Sequence, residues 1–154
     1  VNRNFLDTYN APGVVHCSGE EVLCADVDLL VPAALENQLT AEIAPKIKAP
    51  LIVEGANGPT TVEADEIFAQ AGKYVVPDIL ANTGGVVVSY FEWVQNLQNL
   101  YWDEDQVNDM LEKKMRTAFA EVWDTAHKYS TTLRLGANIV ALSRLVGACK
   151  ARGI

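Results

Sequence analysis

The sequence predicts an α/β fold: the C-terminal half of a doubly wound parallel sheet, followed by a helical tail. Three observations predict it. Short apolar runs stopped by Pro or Glu-Gly recur at residues 27–31, 51–53 and 74–76. Segments with helix-capping signals lie between them. From Gly84 onward, apolar residues recur at three-four spacing and no further strand-like run occurs. Strand, helix, strand, helix, strand at this spacing implies parallel pairing through right-handed crossovers.

Residues 1–26 read as a lead-in segment, weakly periodic as far as Gly19, with turn residues at Asn10, Pro12 and Gly13. Val1 in place of Met raises the expectation of a truncated or processed chain. Residues 27–82 form the predicted βαβαβ unit. Its first strand, VDLLV at 27–31, ends at Pro32, which has no N–H to donate to a central ladder. Thr40 is the expected cap of a short helix through Ile43 and Ile47. The second strand, 51–53, lies between Pro50 and Glu54-Gly55. Thr61, followed by Glu63, Asp65 and Glu66, starts a helix whose first turn favours acidic groups and whose left-handed stop is Gly72. The third strand, 74–76, ends at Pro77.

Residues 83–154 are the helical C-terminal region. The stretch 84–101 carries Trp93, Leu97 and Leu100 at helical spacing. Asp103 caps a strongly amphipathic segment through Val107, Met110, Leu111, Met115, Val122 and Ala126. A last helix, about 133–151, carries Ile139, Leu142, Leu145 and Val146 and stops at Gly153. Trp93, Trp102, Phe119 and Trp123 are expected to be core and helix-packing residues.

Composition narrows the function. The chain has 154 residues, enough for one domain with a core, and 49% are hydrophobic, which argues against disorder. The net charge is −8 with no Lys/Arg-rich run, so nucleic acid is not an expected partner. No apolar run approaches the roughly 20 residues needed to span a bilayer, and no secretory segment opens the chain, so no membrane partner is expected. Cys17, Cys24 and Cys149 make a poor disulfide framework, and no metal-ligand spacing surrounds them. A reducing, cytoplasmic location follows, or the mitochondrial matrix for a eukaryotic parent.

In open parallel sheets, ligands bind beyond the C-terminal ends of the strands. Three residue clusters occupy those ends here. In the first, Ala33 and Ala34 follow Val31-Pro32; two small residues either let a flat ligand approach the backbone or make a tight turn. The second, Glu54-Gly55-Ala56-Asn57-Gly58, places Asn57 between glycines, as a ligand contact or a turn residue. In the third, Asn82 precedes Gly84-Gly85 where a helix begins. Val86 and Ser89 follow on roughly the same face, Ser89 as a ligand hydroxyl or as one bonded to the preceding turn.

These clusters, in this order, resemble the glutamate dehydrogenases. The matching stretches are VDLLVPAALENQLT, VEGANGPTTVEADEIF and VVPDILANTGGVVVSYFEWVQNLQ, with weaker similarity to LRLGANIVALSRLVGACKARG in the tail. The resemblance covers nearly everything from Ser18 onward. It implies the C-terminal part of a Rossmann-like NAD(P)-binding domain from an enzyme that interconverts glutamate with 2-oxoglutarate and ammonium. It further implies that Ala33 and Ala34 lie along the dinucleotide and that Asn57 contacts the nicotinamide ribose region. Asn82 would bond the nicotinamide carboxamide or the substrate α-carboxylate, Val86 would pack beside the substrate chain, and Ser89 would bond its distal carboxylate. Ser89 also fits the glutamate branch better than those acting on apolar amino acids, because a site built to bond a polar group rejects analogues lacking it. Thr83 and Val87 are mild departures from the family pattern. The family assembles as hexamers mostly through its other domain, so the parent is expected to be a homo-hexamer.

No Gly-x-Gly-x-x-Gly turn occurs, so the pyrophosphate cradle is not in this chain. The acidic selector between NAD and NADP is absent too, as is the substrate domain with the family's catalytic lysine and aspartate. Lys46, Lys48 and Lys73 fit exposed positions. No catalytic residue is assigned, and the chain alone is expected to be inactive, because hydride transfer demands positioning to within about an ångström. A stand-alone half-Rossmann module for binding or assembly is the rival reading; retention of Asn82 and Ser89 argues against it. An intact mass showing a longer parent would decide between them.

Overall fold

The computed structural model describes residues 8–153; the first seven residues of the lead-in segment and Ile154 lie outside it. The described lead-in contains a turn closed by Val14 N–H donating to Ala11 O, with Gly13 at φ +85°. It ends in helix α1 (Gly19–Leu23), capped by a reciprocal Ser18–Glu21 pair.

Three strands follow, β1 (Leu29–Leu30), β2 (Leu51–Val53) and β3 (Tyr74–Val76), in the order β1-β2-β3 and all parallel. Leu29 and Leu30 pair with Leu51 and Ile52, and β2 pairs residue for residue with β3. Between β2 and β3 runs α2 (Val62–Gln70), where Thr61 Oγ1 accepts from Ala64 N–H. Gly72, at φ +68°, turns the chain toward β3, as the sequence predicts.

Two expectations need correction. The first strand spans two residues rather than 27–31. Leu29 pairs with Leu51, the first residue of β2 after Pro50, so residues 27 and 28 have no strand partner, and at the other end Val31 runs straight into Pro32. The expected helix from Thr40 is a turn leading into a 3-10 segment, Ala44–Lys46. Pro45 supplies no N–H, so after Ala44 N–H bonds Thr40 O the α-type ladder cannot continue.

Successive residues of a strand face opposite sides, and the sheet uses both. Ile52 and Val75 face a core built with Leu39, Ile47, Ala64 and Phe68. Val76 faces a second core of Leu80, Val122, Ala126, Leu133 and Ala137. That second layer is helical: α3 (Asp78–Ala81), α4 (Gly84–Gln98), α5 (Glu104–Lys128) and α6 (Leu133–Arg152). Asp103 caps α5 through a box with Gln106, and Gly153 ends α6 in the left-handed region. Helices α5 and α6 cross closely at Gly136, where an added Cβ would lie 3.0 Å from both Ala126 Cβ and Val122 O.

The aromatic residues are less buried than expected. Trp123 is half-buried, stacks on Tyr74 and Phe119, and lies 4.4 Å from the His127 ring. Trp102 meets Phe91 edge-on. Trp93 and Phe119 are exposed, because α4 and α5 are packed on one side only.

Candidate functional site

The three strand ends converge. Ala34, Gly55, Asn57, Asn82, Val86 and Ser89 line one open cleft of about 740 Å³, together with Leu35, Glu36, Ala56 and Gly85. Ala33 lies against its floor: a Cβ on Gly55 would sit 3.0 Å from Ala33 Cβ, so only glycine lets the two loops touch here.

Several backbone bonds build this rim. Glu54 N–H donates to Val76 O at 3.0 Å, and Ala56 N–H donates to Pro32 O at 2.8 Å, which carries the parallel alignment past the strands. Asn37, at φ +54°, and Leu39 then donate to Gly58 O and Pro59 O, both at 2.8 Å, closing the far side of the Asn57 loop.

Asn57 and Asn82 form a pair: Asn82 Nδ2 donates to Asn57 Oδ1 at 2.6 Å and lies 3.4 Å from Gly55 O. Asn82 Oδ1 and Asn57 Nδ2 make no hydrogen bond among the described residues, leaving one acceptor and one donor unengaged. The Gly55 carbonyl fixes this orientation, because exchanging O and N in Asn82 would set two acceptor oxygens together. Ser89 is exposed on α4, and its hydroxyl does not bond to the preceding turn. Val86 is 71% exposed and offers the cleft an apolar side chain.

Beneath the pair lies a charged network that sequence reading missed. Glu54 is fully buried directly after β2. Its Oε1 accepts from Arg134 Nη2 at 2.6 Å, and its Oε2 accepts from Asp78 N–H at 2.8 Å. Asp78 in turn accepts from Gly58 N–H at 2.8 Å and lies 3.5 Å from Arg134 Nη1. Asp65 accepts from Arg134 Nε at 3.1 Å. Burial works against the charged guanidinium of Arg134, but hydrogen bonds to Glu54 and Asp65 outweigh it and hold the pKa above its ordinary value. A signal existed: Glu54 ends an apolar run, and Arg134 sits between two leucines at a helix start where cations are disfavoured.

The lysines fall where the sequence places them, away from the cleft. Lys46 pairs with Glu20 at 2.7 Å, Lys48 with Asp26 at 3.6 Å, and Lys73 donates to the carbonyls of Lys48 and Ala49. Among the described residues, no cluster of three or more His, Cys, Asp or Glu side chains is suited to a metal, and no helix is long and apolar enough to cross a membrane.

Parallel strands that carry small and amide residues to one open rim, backed by helices on both faces, form an open α/β domain with a ligand-sized cleft at its strand ends. A model of the Glutamate/Leucine/Phenylalanine/Valine dehydrogenase family matches residues 1–153, and the chain belongs to that family. Glutamate dehydrogenase of Thermotoga maritima is 57% identical over 137 residues, covering 89% of this chain and 33% of that protein. NAD-specific glutamate dehydrogenase of Clostridioides difficile is 49% identical over 94% of this chain and 34% of its own length. The NADP-specific enzyme of Synechocystis is 52% identical over 88% of this chain and 32% of its own length. Among solved structures, hetero-hexameric glutamate dehydrogenase from Thermus thermophilus superposes with a TM-score of 0.87 at 34% identity, over 92% of this chain and 34% of that one. The chain thus spans about a third of the length of the curated relatives it matches.

Proposed function

We propose that the chain is the C-terminal portion of a glutamate dehydrogenase and forms the nicotinamide-side rim of its active site. The complete enzyme would interconvert glutamate with 2-oxoglutarate and ammonium, using NAD or NADP, and would assemble as a homo-hexamer. One observation carries the reading: Ala34, Asn57, Asn82, Val86 and Ser89 face a single cleft at the C-terminal ends of three parallel strands.

The residues present fit a nicotinamide group. Its primary carboxamide needs one donor and one acceptor, which is what Asn57 Nδ2 and Asn82 Oδ1 leave unengaged. Asn57 and Asn82 would hold that end of the dinucleotide, and Ala33 and Ala34 would give it a flat wall. When bound, NAD or NADP supplies the hydride acceptor. Asn82 bonds either the nicotinamide carboxamide through Oδ1 or, through Nδ2, the substrate α-carboxylate; Val86 lies along the substrate chain, and the Ser89 hydroxyl donates to the distal carboxylate. None of these groups moves a proton, and no Gly-x-Gly-x-x-Gly turn is present to cradle the pyrophosphate. The 154-residue chain alone is therefore inactive.

The test pairs the isolated chain with the full-length enzyme. The isolated chain should show no glutamate-dependent reduction of NAD or NADP; measurable turnover would refute its inactivity. In the full-length enzyme, Ser89→Ala should lower kcat/KM for glutamate by roughly tenfold to a hundredfold, the worth of a hydrogen bond to a charged group. Unchanged kcat/KM would remove Ser89 from the site.

A further inference from the structure

We propose that Arg134 is a positioning residue that fixes the Asn57–Asn82 pair from beneath, through the carboxylates of Glu54 and Asp78. The inference rests on the reading of the cleft as the nicotinamide end of the site.

The connection is continuous. Arg134 Nη2 donates to Glu54 Oε1, and Glu54 Oε2 takes the N–H of Asp78 at the start of α3. Asn82 closes that four-residue helix, donating its N–H to Asp78 O at 3.1 Å. Asp78 Oδ2 takes the N–H of Gly58, the residue after Asn57, which sits at φ +53°. One guanidinium therefore governs both amide-bearing segments. Asp65, on α2, takes Nε and Nη2 of the same group and fixes its plane.

As a stability device this arrangement is poor. A cation in the first turn of α6 opposes the helix macrodipole. Removing charges from water costs about what their attraction returns, so an apolar replacement of similar volume is often no worse. Three carboxylates face one guanidinium: Glu54 and Asp78 tie it to the segments that carry Asn57 and Asn82, and Asp65 ties it to α2. The planar fork of arginine supplies that geometry, whereas the single ammonium of lysine keeps the charge and loses the fork.

The test uses the full-length enzyme, numbered as here, and two ligands: reduced dinucleotide, titrated by its own fluorescence, and ADP-ribose, which lacks the nicotinamide. Arg134→Lys should weaken the reduced dinucleotide about tenfold and leave ADP-ribose within about twofold, where tenfold corresponds to about 1.4 kcal/mol. Amide exchange at Gly58 should quicken in the same variant. Equal losses for both ligands would mean general damage, and no loss would mean no clamp; either result overturns the proposal. Asp65→Asn, which loosens the guanidinium without touching Glu54, should give a smaller loss of the same selectivity. It carries the test if Arg134→Lys does not fold. Asn57→Ala and Asn82→Ala identify which idea fails. If they leave dinucleotide binding intact, the reading of the cleft falls and the clamp with it. If they weaken it while Arg134→Lys and Asp65→Asn do not, the clamp alone is wrong.

Discussion

Two buried polar groups near the rim illustrate opposite uses of burial. Glu54 accepts one strong donor on each carboxylate oxygen, so its burial is matched by its partners. Thr60, in the loop that bridges to Leu39, has a buried hydroxyl with no hydrogen-bond partner. An unmatched buried hydroxyl costs about 1–3 kcal/mol, and valine has the same shape without it. Thr60→Val should therefore raise the urea midpoint, by about 1 kcal/mol of stability. A lower midpoint would mean that the hydroxyl is matched in solution. Ser89 differs from both: it is exposed in the cleft, so its hydroxyl carries no burial cost.

Among the elements, the α5–α6 pair sets the position of Arg134. The two helices approach closely because Gly136 faces Val122 and Ala126, with Tyr129 and Ser130 forming the turn between them. Gly136→Ala places a Cβ 3.0 Å from the backbone oxygen of Val122, and backbone cannot move aside as a side chain can. Overpacking of this kind costs about 1–3 kcal/mol. The gain in helix propensity, about 1 kcal/mol, offsets only part of it. Thermal unfolding of Gly136→Ala should fall by several degrees. A rise in melting temperature would show that the crossing relaxes freely. Gly55 plays the matching part at the strand ends, where Ala33 comes within 3.0 Å of its missing Cβ.

At the scale of the whole molecule, the apolar surface is unevenly covered. Leu29 on β1 and Val31 and Leu35 beyond it are exposed, and among the described residues β1 has a strand neighbour on one side only. Leu142, Leu145 and Val146 are exposed on α6, as are Tyr90, Trp93 and Leu97 on α4. Open strand edges and contiguous apolar patches promote association. The isolated chain should bind a hydrophobic dye strongly and grow in apparent size with concentration in light scattering, whereas full-length enzyme should do neither. A monodisperse, dye-silent chain would show that these surfaces need no cover.

Apart from α1 and α3, the order of elements is legible in the residues alone, as are the second and third strands, the caps Thr61 and Asp103, the stop at Gly153 and the clusters at the strand ends. Those features are local: a capping side chain, a left-handed glycine or an apolar run carries its signal within a few positions. The first crossover was misread because Pro45 was not weighed against the capping Thr40. The short β1 follows from register: β2 begins opposite Leu29, leaving residues 27 and 28 unpaired, and register is not written in a single apolar run. Only the tertiary structure decided that Glu54, Asp65, Asp78 and Arg134 form one network, since 80 positions separate Glu54 from Arg134. It alone also decided that Trp93 and Phe119 lie at the surface. Helical periodicity tells which residues share a face, and the packing of other elements decides whether that face is covered.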